Sequence, residues 1–261
     1  DQRGAAFGLR QSLDTVGAVL GPLLAIALMG VFAGDMRAVF AVAVIPALLS
    51  VAVLAFGVRE PPRTAAPPAP PRFSRDLLRR LPRPFWLLMA VTVPFTLARF
   101  SEAFLLLRTQ SLGLALAMVP LTLAAMNVAY ALSAYPAGRL SDRVPRERLL
   151  VYGCVVLLAA NACLALGPSL AWAFAGTVLW GLHMGLTEGL IGALVADHAP
   201  AELRGTGFGV LHFVRGVLLL AASALAGALW TAWGPAATFG AGAAFSVLTL
   251  FALPALRRPA R

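Results

Sequence analysis

Asp14, Arg99, Glu102, Asn127, His183, Glu188 and Arg215 carry polar or ionisable chemistry, yet each falls within or beside a long apolar stretch of this sequence. Burying Asp or Arg at the centre of a membrane-spanning helix costs at least about 2.5 kcal/mol, so residues kept there bind substrates or ions, carry protons or hold one another. Arg99 and Glu102 are three apart, a spacing at which helical side chains meet. They could form a substrate-facing or proton-coupling pair, or a static ion pair that offsets desolvation. Glu188 could take up a proton, because burial disfavours the charged form of a carboxyl. His183 could relay a proton or serve as a hydrogen-bonded packing residue. Asn127 and Asn161 could hydrogen-bond between helices or contact a substrate.

A second concentration of charge lies between two apolar stretches. Gly138-Arg139-Leu140-Ser141-Asp142-Arg143-Val144-Pro145-Arg146-Glu147-Arg148 holds four arginines and two acids in one tight turn. Other chemistries find little support. Cys154 and Cys163 are nine apart on one expected helix, about 13 Å of rise and beyond disulfide reach. No Cys/His cluster has metal-ligand spacing and no Gly-x-x-x-x-Gly-Lys cradle for phosphate occurs, so neither a metal, nor another cofactor, nor an enzyme is expected.

The elements that must position these residues are membrane helices. Of 261 residues, 60% are apolar and only 12% charged, far from the balance of a soluble domain. All 21 basic residues are arginine and the net charge is +10, which could suggest nucleic acid. The Phe and Trp residues lie mainly in apolar spans, so a lipid bilayer is the expected partner and nucleic acid is not. A helix needs about 20 apolar residues to cross a bilayer. Charge-free runs and the turns Gly167-Pro168-Ser169 and Trp233-Gly234-Pro235 predict eight helices: 5–32, 37–58, 84–109, 113–140, 147–166, 169–197, 203–232 and 235–256.

Sixteen arginines fall on alternate connections and the chain ends, whereas the intervening connections hold two, Arg37 and Arg108. Positive loops stay in the cytoplasm, which places both termini and the 59–83 segment there. That proline-rich segment reads as a semi-rigid linker. Within it, 73–81 could be a plain linker or a short basic helix on the membrane surface, with Leu77, Leu78 and Leu81 inward. Asp14 then lies about 13 Å into its helix and Arg215 about 18 Å into its own, near the midplane. Arg99 and Glu102 fall toward the outer half, about 21 and 26 Å along. Glu188 falls near the cytoplasmic gate, about 28 Å from the outer end of its helix.

An internal repeat adds architecture: Arg3-Gly4-Ala5-Ala6-Phe7-Gly8-Leu9 recurs as Arg204-Gly205-Thr206-Gly207-Phe208-Gly209-Val210, displaced by 201 residues. Asp14 and Arg215 share that displacement. The loop at 138–148 resembles the Gly-x-x-x-Asp-Arg-x-Gly-basic-basic signature of the major facilitator superfamily. Gly138, Asp142, Arg143, Arg146 and Arg148 match, Pro145 replaces the glycine, and Glu147 interrupts the basic pair. The resemblance implies an all-α polytopic fold in which 5–32 is the fifth helix of twelve. The chain would then hold 1–58 from the N-terminal bundle, the 59–83 linker and an 84–261 C-terminal bundle of six helices.

Such a protein is expected in the plasma (inner) membrane, acting at full length as a monomer on a small-molecule substrate. The 261 residues alone are not expected to transport. In the family the loop latches the cytoplasmic face, which implies that Asp142 closes onto Gly4 to Gly8, where a helix N-terminus favours an anion. Because the fifth and eleventh helices of that fold do not touch, Arg215 would have lost its partner with the first four. Gly17-x-x-x-Gly21-Pro22 resembles the fifth-helix motif of antiporters, although small residues four apart also make an ordinary packing groove. The family reading implies secondary transport, with the proton as coupling ion and efflux as direction. Uptake, or a non-transporting receptor on the same fold, is the alternative.

Overall fold

The computed structural model describes residues 3–57, 75–141 and 143–256, the side chains of 3–13, 15 and 75 excepted. These residues form helices and turns only. α1 (Arg3–Val31) contains Pro22 and closes at Gly34, whose φ of 86° lets its N–H return to the Met29 carbonyl at 2.8 Å. α2 (Met36–Ala52, extended by a π turn Val53–Gly57) is capped by the Asp35 carboxylate, which accepts from the Arg37 N–H at 2.9 Å. α3 (Arg75–Arg79) is one short turn, and its Leu77 and Leu78 pack on the protein core together with buried Leu81. Those leucines face the bundle, where a membrane-surface helix would have turned them into lipid.

α4 (Arg83–Leu97) and α5 (Ala103–Ser111) occupy the expected 84–109 helix, which is therefore broken in its middle. Pro94 removes one ladder donor and weakens the last turn of α4. The interruption puts Arg99 just beyond the C-terminus of α4 and Glu102 at the N-cap of α5, where both helix dipoles favour the charge present. α6 (Pro120–Ser141) starts later than expected because Pro120 cannot donate and takes the first helical position. α7 (Arg146–Leu166) and α8 (Leu170–His198) follow, joined at the predicted Gly167-Pro168-Ser169 turn.

α9 (Arg204–Ala252) is two limbs joined at Gly234, whose φ of 80° and ψ of −173° are open to glycine and to little else. The limbs fold back on one another: the Thr238 hydroxyl donates to the Ala226 carbonyl at 3.1 Å. Among the described residues five stretches are long and apolar enough to cross a membrane: Met36–Gly57, Leu116–Ser141, Arg146–Leu166, Leu170–His198 and Ala201–Leu256. The number falls short of eight because α4 is cut short, the bent α9 counts once, and the apolar part of α1 covers only Val16–Val31.

Glycines bring α8 against its neighbours. A Cβ at Gly181 would stand 2.2 Å from the Met126 carbonyl oxygen of α6, and one at Gly153 of α7 would stand 2.1 Å from Cγ2 of Thr187. Small residues at such contacts let helix backbones approach where no hydrophobic force separates lipid from protein.

Candidate functional site

Two apolar clusters fill the bundle, and the ionisable residues lie where they meet. One cluster contains Phe95, Cys154, Leu190 and Leu211; the other contains Ala98, Leu157, Trp180 and Ala222. On α8 and α9 the change of cluster brackets a charged residue, Glu188 between Trp180 and Leu190 and Arg215 between Leu211 and Ala222, while Arg99 follows just after the change between Phe95 and Ala98.

These three residues form one group. Arg99 Nη2 donates to Glu188 Oε2 at 3.0 Å, and Arg215 Nη2 donates to Glu188 Oε1 at 3.2 Å. Each carboxylate oxygen thus serves one guanidinium, and the side chains retain 13%, 27% and 37% exposure for Arg99, Arg215 and Glu188. Arg99 also lies 5.6 Å from the centre of the Phe95 ring, within cation–π range. Arg99 therefore pairs with Glu188, 89 residues away, and not with Glu102. The helix break removes the spacing on which an Arg99–Glu102 pair depended. Arg215, expected to lack a partner, has one in Glu188. Glu188 sits ten residues from the C-terminal end of α8, about 15 Å, close to the depth of Arg215 from the N-terminal end of α9, so it belongs with the central group and not at the end of the bundle.

The broken backbone is itself satisfied. The Ser101 N–H donates to Ser223 Oγ of α9 at 3.2 Å, and the Ala103 N–H to Ser101 Oγ at 3.3 Å. Irregular backbone at membrane depth is tolerated where protein or a cavity meets it, and here both do. A cavity of about 950 Å³ is lined by Phe95, Thr96, Arg99, Glu102, Arg215 and Ser223 among others. A second, of about 810 Å³, runs along α6 and α8 past Tyr130, Gly138 and Ser141 to Arg146. Glu188 lines both cavities.

The remaining candidates lie apart from this group. His183 is wholly buried behind the Phe95 ring, its Nδ1 donating to the Gly153 carbonyl at 2.8 Å, and it lines neither cavity. Asn127 Nδ2 donates to the Ala18 carbonyl at 3.0 Å and ties α6 to α1, whereas Asn161 bonds within its own helix to Leu157. Asp14 is exposed on α1 and lines neither cavity. Gly17 and Gly21 are exposed, with no described atom within 4 Å of an added Cβ, and Pro22 lies inside α1. In the charged loop, Arg143 turns back to Leu140 through its N–H, Arg146 pairs with Asp197 at the end of α8, and the Arg148 N–H bonds to the Pro145 carbonyl at 2.9 Å. Gly138 accepts the Ser141 hydroxyl at 2.7 Å. Asp142 lies outside the described residues, as do the side chains of Gly4 to Gly8, so the expected latch has no described geometry.

The family model for the major facilitator superfamily matches residues 1–223 and 103–261. The chain belongs to this superfamily. An uncharacterised MFS-type transporter of Methanocaldococcus jannaschii is 28% identical over 252 residues, covering 94% of this chain and 62% of the relative. An uncharacterised protein of Mycobacterium tuberculosis is 28% identical over 239 residues, 87% of this chain and 56% of the relative. The chain thus spans about three fifths of the curated relatives it matches. A facilitated glucose transporter of Gallus gallus matches 93 residues at 33% identity, or 33% of this chain and 17% of that protein. A peptide transporter solved in complex with alafosfalin shares the fold over 66% of this chain and 35% of its own, with a TM-score of 0.50 at 22% identity.

Sequence reasoning missed the partners of this superfamily chain more than its participants. Thr96, Tyr130, His212 and Ser223 line the two cavities and were not singled out. Charge accounting could have linked Glu188 to the two interior arginines, since no other acid lies between Glu147 and Asp197. Nothing in the local pattern announces Asp197 as the anchor of Arg146.

Proposed function

We propose that the chain is part of a secondary transporter that moves a small solute by alternating access, with Glu188 as its coupling carboxylate and the proton as coupling ion. The observation that carries this is a single acid that lines two cavities and holds two guanidiniums, one from the break between α4 and α5 and one from α9. A shift of α8 against α4 or α9 must break one of those bonds, so occupancy of Glu188 is tied to the arrangement of the bundle. Glu102, in the same cavity, is a second carboxylate for protons or substrate.

In this reading α1 and α2 are the fifth and sixth helices of twelve, 59–83 joins the halves, and α4 to α9 supply the last six. Both termini and the linker face the cytoplasm of a plasma (inner) membrane, as the arginine asymmetry supports. Asp142 latches onto the first turns of α1 while the Arg146–Asp197 pair steadies the loop. The transporter acts as a monomer. Export in exchange for protons is a second reading, favoured by Gly17, Gly21 and Pro22.

The test is transport by the protein as its gene encodes it, in cells lacking efflux pumps and in proteoliposomes with an imposed pH gradient. Wild type moves protons together with, or against, a solute; Glu188→Gln abolishes the coupling, and Asp142→Asn slows turnover. Absence of proton flux and of any solute movement across a broad panel would leave a receptor or interaction protein as the better reading.

A further inference from the structure

We propose that the larger cavity takes an amphipathic organic anion, its headgroup held by Arg99 and Arg215 where the Glu188 carboxylate now sits, with one proton carried on Glu188 beside it. This deepens the transport reading above and rests on it. Two planar guanidiniums converge on a single carboxylate, the donor arrangement that recognises carboxylates, sulfonates and phosphonates. Intramolecular Glu188 fills the anion position in the structure.

The exchange balances in charge. A proton arriving with the anion through the larger cavity neutralises the Glu188 carboxylate, and the second cavity, which runs to Arg146 beside the loop placed in the cytoplasm, is its way out. Two bare guanidiniums remain, and an incoming anion restores the lost charge. A cation would instead meet two arginines already facing the same space. The charged and titratable groups around Glu188 agree with this sign: Arg99 from the break between α4 and α5, Arg215 and His212 from α9, Tyr130 from α6, and Arg146 of α7 at the far end of the second cavity. Among the described residues Glu102 is the one other acid lining these two cavities, and a single charge there cannot replace Glu188 for both arginines.

Thr96 also belongs to this wall, with its hydroxyl oxygen buried away from the open space. The rest of the wall suits an apolar body, with Phe95, Phe100, Trp180, Leu219 and Leu220 around about 950 Å³. Anion and proton therefore enter together, and an inward proton gradient drives uptake.

Naphthalene sulfonate, charged at every pH used, and the neutral naphthalene sulfonamide test the proposal on the detergent-purified protein as its gene encodes it, with tryptophan fluorescence as readout because Trp180 lines the cavity. The expected result is sulfonate binding that is about tenfold or more tighter than sulfonamide binding at low pH. It weakens by about tenfold or more as protons are withdrawn between about pH 5.5 and about pH 8. Glu188→Gln binds sulfonate at high pH as wild type does at low pH, and His212→Gln keeps the wild-type pH dependence. Arg99→Gln with Arg215→Gln loses the sulfonate and retains the sulfonamide. Equal wild-type affinity for the two probes overturns the proposal without any variant, and so does a pH dependence that disappears with His212. The transport reading fails separately: sulfonate that binds but is never carried into proteoliposomes sinks transport and leaves the anion site. Flux of naphthylmethylamine or the sulfonamide in preference to the sulfonate sinks the anion site and leaves transport.

Discussion

Adding one methyl group to α8 at Gly181 tests the packing that carries Glu188. A Cβ there would lie 2.2 Å from the Met126 carbonyl oxygen and 3.0 Å from both the Met126 carbonyl carbon and Ala129 Cβ. The obstruction is mainly α6 backbone, which no rotamer change removes, so α6 must withdraw by about an ångström to restore ordinary contact. Overpacking of this kind costs about 1–3 kcal/mol, against about 0.5–1 kcal/mol gained by Ala over Gly in a helix interior. Gly181→Ala should therefore destabilise by about 1–2 kcal/mol. Gly189 is the internal control: it lies eight residues on in the same helix and has nothing within 4 Å of an added Cβ. Gly189→Ala feels helix propensity alone and should gain about 0.5–1 kcal/mol. Dodecyl sulfate titration in mixed micelles, followed by fluorescence, measures both. Equal shifts of the two variants, or a gain in stability for Gly181→Ala, would refute the close approach of α6 and α8.

At Gly153 an added methyl meets Thr187 Cγ2 at 2.1 Å and Thr187 Cβ only at 3.6 Å. Gly153→Ala should lower stability and Thr187→Ser should restore much of it, with a coupling of about 0.5–3 kcal/mol in a double-mutant cycle; purely additive effects would contradict the contact. At Gly234 the φ of 80° and ψ of −173° exclude other residues. Gly234→Ala should cost about 1–3 kcal/mol in the same titration, while helical Gly240→Ala, with open space around it, should not; matching values would count against the bend between the limbs of α9.

Apolar runs and turn residues carried most of the fold, because spanning length and proline or glycine chemistry act locally. The turns at Gly167-Pro168-Ser169 and Gly234-Pro235 stand where they were expected. The break between Leu97 and Ala103 was only partly legible: Pro94 weakens the last turn locally, but what holds the chain open there is distant in sequence. Ser223, 122 residues away, accepts the freed Ser101 N–H, and Glu188 draws Arg99 off the helix face it would share with Glu102. The site residues were visible as misplaced charges, but their pairing was not. Helical spacing suggested an Arg99–Glu102 neighbour pair, and only the tertiary packing of α4, α8 and α9 supplies the competitor that wins. Asn127 shows the opposite case: an amide in an apolar span has few outcomes, and it makes the interhelical bond that was one of the two anticipated.

The break and the arginine pair explain one another. In an uninterrupted helix Arg99 and Glu102 would neutralise each other, leaving Glu188 to Arg215 alone. Ending α4 at Leu97 and restarting at Ala103 puts Arg99 beside the negative end of one dipole and Glu102 beside the positive end of the next. Each placement is worth about 0.3–1 kcal/mol when exposed and up to about 2 kcal/mol when partly buried. Both charges can then persist without pairing to each other, and Arg99 is released to reach across to α8. The result is one carboxylate between two guanidiniums at the junction of two cavities. In that arrangement the loss of a single negative charge changes the hold on α4 and on α9 at once.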